Sequence, residues 1–126
     1  MIPVWWNDIN YFKPWEFDSP GMPGSGAEFM APEFMQLLDQ IRIGVGHALI
    51  ITSGFRTADH NKKVGGKSSS AHLSGYAADI KAITSSARHD IVKVAIQHGV
   101  RRIGIGGTFV HLDIHPTLPQ NVIWLY

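Results

Sequence analysis

The side chains best suited to chemistry fall in two segments, Ser70-Ala71-His72-Leu73-Ser74-Gly75-Tyr76-Ala77-Ala78-Asp79 and, further along, Phe109-Val110-His111-Leu112-Asp113. Two imidazoles and a carboxylate are enough for a catalytic zinc site, which takes three protein ligands and leaves a fourth position open to water. The ordinary alternative stands beside this for each residue. A lone histidine is more often a surface group or a hydrogen-bonded buried one than a ligand. Aspartate in a strand is less ordinary, because it is depleted there and costly to bury without a partner. Asp79 and Asp113 therefore both ask for a cation or for hydrogen-bond donors. Strand alternation puts Asp113 on the face of His111, and a rise of about 3.3 Å per residue brings the roots of the two side chains within about 7 Å. His47, His60, His89, His98 and His115 fit no such pattern, although His98 suits the negative end of a helix.

These residues need elements to hold them. From Pro32, Phe34, Leu37, Leu38 and Ile41 recur on one helical face, with Pro32 and Glu33 in the first turn and an end near Gly44 or Gly46. Ala48-Leu49-Ile50-Ile51-Thr52 reads as a buried strand ending at the turn Ser53-Gly54, with Arg56 just beyond it. Residues 57–71 have the composition of a loop. A strand is expected over Tyr76 to Ala82, so His72 would come from a loop and Asp79 from a strand. Thr84 or Ser85 caps a second helix on which Ala87, Ile91, Val94, Ala95 and His98 share a face, closed by Gly99. Further strands follow at Arg102 to Ile105, Phe109 to Ile114 and Val122 to Leu125. Helices placed ahead of strands, with glycine turns between the late strands, imply an α+β domain with an antiparallel sheet.

At 126 residues the chain makes one domain and one core, residues 1–126, with residues 1–31 as an irregular arm rich in aromatic residues, proline and glycine. The rings of Trp5, Trp6, Tyr11, Phe12, Trp15 and Phe17 are expected to cover a small core rather than to bind ligand. A net charge of +1 with scattered basic residues excludes a nucleic-acid-binding footprint. Lys62, Lys63 and Lys67 read as a solvated loop. Cysteine is absent, so thiolate metal sites, disulfides and cysteine nucleophiles are excluded, and any metal must sit on His, Asp or Glu. No segment is long and apolar enough to insert in a membrane, and the first residues lack a basic leader followed by an apolar run. Synthesis in the cytoplasm without a signal peptide, as a monomer, is the expectation.

The pattern Ser-x-His-x-x-Gly-x-Ala-x-Asp with a later histidine resembles the zinc murein peptidases of the D-alanyl-D-alanine carboxypeptidase type (peptidase M15), which include phage L-alanyl-D-glutamate endolysins and cell-wall endopeptidases. The resemblance runs from about Phe34 to Ile114 and takes in Thr52-Ser53-Gly54-Phe55-Arg56 and the loop from Asn61 to Gly66. It implies the hedgehog/DD-peptidase fold, an antiparallel sheet with flanking helices. It implies Zn2+ on His72, Asp79 and His111, and Arg56 on a carboxylate or carbonyl of a peptidoglycan peptide, which a planar guanidinium fork suits. The ordinary reading of Arg56 is a loop arginine paired to Asp59. Ser70 would bind substrate, orient a ligand or be structural. Many members carry an acidic general base three residues before the last histidine, and here that residue is Thr108. Many also have a histidine where this chain has Phe109. Members with Phe-Val-His-x-Asp, as here, imply that Asp113 serves as base or holds a ligand in place. A silent zinc domain that binds cell wall or a partner is the rival reading. The phage members imply delivery to the wall in a virion or through a lysis partner.

Overall fold

The structure is a computed structural model that describes residues 1–126. Two helices cover one face of a five-stranded sheet. The regular elements after the arm are α2 (Pro32–Val45), β1 (Ile51–Ser53), α3 (Ala58–Lys63), β2 (Ala77–Lys81), α4 (Ser85–Gln97), β3 (Arg102–Ile105), β4 (Phe109–Asp113) and β5 (Val122–Leu125). A short α1 (Ser25–Phe29) belongs to the arm.

The helices form where the residues favour them. Pro32 sits in the first turn of α2, where its missing N–H costs nothing. Gly46, with φ at 85°, supplies the left-handed C-cap. The Thr84 hydroxyl accepts from Ala87 N and caps α4. Phe34, Met35, Leu38 and Ile41 of α2 meet Ile91, Val94 and Ala95 of α4 in one core with Ile80, Ile103, Val110 and Leu112 of the sheet. Gly44 allows the close approach, since a Cβ there would lie 2.6 Å from a Val94 methyl.

The strand order is β1-β2-β4-β3-β5. The first four strands pair antiparallel as expected, but β5 runs parallel to β3. The chain leaves β4, crosses the end of the sheet through residues 114–121 and returns along the outer edge of β3. Ser53, Asp79, His111, Gly104 and Trp124 are register partners in a single row across all five strands.

Three further segments differ from the sequence expectation. In place of a buried strand over Ala48 to Thr52, β1 covers Ile51–Ser53 at the sheet edge and is only partly buried. Residues 57–71 contain α3, capped by the Thr57 hydroxyl on His60 N, followed by a 3-10 turn at Ala71–Ser74. Asn61, a poor helix former, is buried in α3 because its amide bonds Lys67 O and Arg56, so tertiary contacts override propensity. The arm is tied down. It holds 3-10 turns at Val4–Asp8 and Pro14–Phe17; Trp6, Phe12 and Phe17 join the core and Trp5 packs against it, whereas Tyr11 and Trp15 are exposed and do not take the expected covering role. Trp6 Nε1 donates to Ala27 O, and the buried carboxylate of Asp39 accepts from Asn10 N and Tyr11 N. Phe17 crosses directly over Gly54, where a Cβ would stand 2.6 Å from the Phe17 Cα.

Candidate metal centre

His72 sits in the 3-10 turn, with the Ser70 hydroxyl capping its backbone N–H at 3.3 Å. Its Nδ1 donates to Gly54 O at 2.7 Å, which leaves the lone pair of Nε2 pointing into the site. His111, on β4, makes the mirror-image choice. Its Nε2 donates to Asp113 Oδ2 at 2.7 Å, so its Nδ1 carries the inward lone pair. Asp79, opposite His111 in the row, contributes Oδ1.

The three donor atoms form a nearly equilateral triangle. His72 Nε2 lies 3.2 Å from His111 Nδ1 and 3.3 Å from Asp79 Oδ1, and His111 Nδ1 lies 2.9 Å from Asp79 Oδ1. Tetrahedral zinc with bonds of about 2.0 Å spaces its ligand atoms by about 3.3 Å. All three residues are buried, and together they are a group that could hold a metal ion. With both imidazoles neutral, three lone pairs face one another at hydrogen-bonding distance, a repulsive arrangement that a central cation relieves. The donor set, its spacing and its orienting partners all fit zinc.

The electrostatics show the same demand for positive charge. Without a metal, burial favours the neutral carboxyl of Asp79, but the hydrogen bonds that His111 and His72 give once they carry a second proton outweigh it and hold that carboxyl well below the usual range. Burial also works against a charged His111, yet Asp113 and Asp79 on either side raise its pKa above 6.5. Burial dominates at His72 and lowers its pKa.

Each acid has an arginine on its other oxygen. Arg56 NH2 donates to Asp79 Oδ2 at 3.2 Å, while Arg56 Nε and NH1 bond Ser53 Oγ and Asn61 Oδ1. Asp59 is exposed and is not its partner. Arg102 Nε donates to Asp113 Oδ1 at 2.7 Å, and His115 N donates to the same oxygen. Asp113 is fully buried, and burial would keep it protonated, but the hydrogen bond from His111 leads the contacts that hold its pKa down. Thr108 is exposed in the turn between β3 and β4.

The triangle opens on a cleft of about 860 Å³. One wall carries Gly65, Gly66, Lys67, Ser69 and Ser70. The other carries Phe109, Leu118, Pro119, Trp124 and Tyr126. The aromatic wall depends on two glycines of β3 and the turn after it: a Cβ on Gly104 would meet Trp124 and Tyr126 at 2.7 Å, and one on Gly106 would enter the Phe109 ring. The sequence points to neither Arg102 nor the rings after residue 113, because only strand register brings them to the site.

A five-stranded sheet flanked by helices, with a His-Asp-His donor triangle at a cleft, defines a metallohydrolase-like site. The chain matches the family described as Peptidase M15 over residues 12–113, and it belongs to that family. Membership implies zinc metallopeptidase activity. Comparison with curated proteins finds no match. No helix is long and apolar enough to cross a membrane.

Proposed function

We propose that the protein hydrolyses peptide bonds in the stem or cross-link peptides of bacterial peptidoglycan, as a carboxypeptidase or endopeptidase. The observation that carries this reading is the cleft itself, which sets the donor triangle beside Arg56 and Lys67, cations suited to carboxylate-rich stem peptides. His72, Asp79 and His111 would hold zinc, which would supply a Lewis acid for the scissile carbonyl and a more acidic water. Arg56 keeps Asp79 turned so that one oxygen faces the site, and it lines the cleft where its remaining N–H groups can hold a substrate carbonyl. Ser70 fixes the turn that carries His72. Asp113, with both oxygens engaged, orients His111 rather than acting as a free base. As the C–N bond breaks, the water's proton would end on the leaving amine, relayed through solvent in the open cleft. Phage origin, with delivery of a monomer to the cell wall, accompanies this reading.

One observation favours a second reading. Both acids that line the cleft, Asp79 and Asp113, are committed to histidines and arginines, so no free carboxylate stands ready as base. A zinc-containing module that binds cell wall without cutting it would look the same. Digestion of purified murein with zinc-loaded protein, followed by chromatography and mass analysis of the muropeptides, separates the two. Shortened or uncrosslinked stem peptides that vanish on chelation are expected. Zinc-replete protein that binds murein and releases nothing would establish the silent module.

A further inference from the structure

We propose that Arg102 is a positioning residue for the metal set, acting on His111 through Asp113, and that chain beyond the family match holds it in place. The contacts run in series. Asp113 Oδ2 takes the His111 Nε2 proton at 2.7 Å, and Arg102 Nε grips Asp113 Oδ1 at 2.7 Å. The guanidinium is itself fixed, with NH1 donating to Pro119 O at 2.6 Å and its carbon 5.0 Å from the centre of the Trp124 ring. Trp124 also packs 5.3 Å from the His111 ring across Gly104. Pro119 and Trp124 both lie after residue 113, where the match to the family ends.

This arrangement does more than neutralise a buried acid. Asp113 has no exposure to solvent, and without Arg102 its Oδ1 would keep only the His115 N–H. A carboxylate held at both oxygens cannot rotate, so the imidazole it grips keeps Nδ1 aimed at the other donors. Partners of this kind typically change metal affinity about 10–100-fold. Arg102 and Asp113 are direct register partners on β3 and β4, so the link is built into the sheet. The crossing loop and β5 close the series by holding the far side of the guanidinium.

The test is a double-mutant cycle on the full chain that reads zinc affinity by chelator competition and the visible spectrum of the cobalt form. It rests on the metal set but not on the substrate. Protein that binds zinc and leaves murein untouched would fail the substrate reading and still decide this one. Arg102→Met should lower zinc affinity about 10-fold and shift the cobalt bands as Asp113→Asn does. In the Asp113→Asn background, Arg102→Met should change affinity less than about 2-fold, because its route to His111 is already cut. Circular dichroism of the metal-free variants confirms folding, and if Arg102→Met does not fold, Arg102→Lys enters the same cycle with a smaller loss expected. Equal losses in both backgrounds, or no loss in either, would overturn the proposal.

Discussion

His72 and His111 present opposite ring nitrogens to the same point, and each choice is set by the acceptor behind the ring, Gly54 O in one case and Asp113 in the other. The wild-type protein should therefore carry one zinc per chain, measured by plasma emission after dialysis, and His111→Ala should lose it; a variant that keeps full zinc would remove His111 from the set. Arg56 makes a subtler case. Its bond to Asp79 Oδ2 predicts that Arg56→Ala weakens zinc several-fold as well as slowing hydrolysis, and that Arg56→Lys restores only part of either, because an ammonium cannot reach Ser53, Asn61 and Asp79 together. Acid sensitivity follows from the same pairs. Asp79 and Asp113 titrate below their ordinary value of 3.8, so in acid the unfolded chain binds protons that the folded protein refuses. Their contribution to stability is complete above about pH 4 and is lost as pH falls through the depressed values. The urea midpoint of metal-free protein should fall between about pH 4 and pH 2, with a shallower fall in Asp113→Asn. The motif made His72, Asp79, His111 and Asp113 legible from sequence. For Asp113 the sequence left two parts open, base or holder of a ligand, and its bond from His111 fits the second; the share of Arg102 was not legible, because it acts across a strand pair.

Elements whose ends are written in local chemistry were readable. Pro32 and Gly46 bound α2, and Thr84 and Gly99 bound α4, within a residue or two of expectation. Elements decided by distant contacts were not readable: α3 depends on the burial of Asn61, and the direction of β5 depends on a crossing loop that carries no signal of parallel pairing. The contact between the arm and β1 tests how far an element reaches. Gly54 lies under Phe17, and its carbonyl holds His72. Gly54→Ala should push the Phe17 backbone away, cost about 1–3 kcal/mol in chemical denaturation, and lower zinc affinity as Gly54 O shifts from the imidazole. Gly104→Val addresses the other side. It should expel Trp124 and Tyr126 from the cleft wall, seen as changed tryptophan fluorescence, while the antiparallel strands stay paired. Unchanged fluorescence would mean that the rings do not rest on that glycine.

For the molecule as a whole, zinc held by His72, Asp79 and His111 would be a ligand of the native state alone. At one hundred times its dissociation constant it should add about 2.7 kcal/mol, a rise on the order of 10 °C in the thermal midpoint that His111→Ala abolishes. A chain this size has one core, and the arm, α2, α4 and sheet share it, so unfolding should be a single transition with or without the ion. The row that runs from Ser53 through Asp79, His111 and Gly104 to Trp124 draws one residue from each strand. Apart from the hairpin pair Gly104 and His111, its members are far apart along the chain, and contacts of that kind form late, after the entropy of closing long loops has been overcome. The row is therefore a clock for folding. In a refolding experiment, a chromophoric zinc indicator should register tight capture only after helical signal has returned, and the lag between the two measures the time β2 and β4 take to bring Asp79 and His111 together.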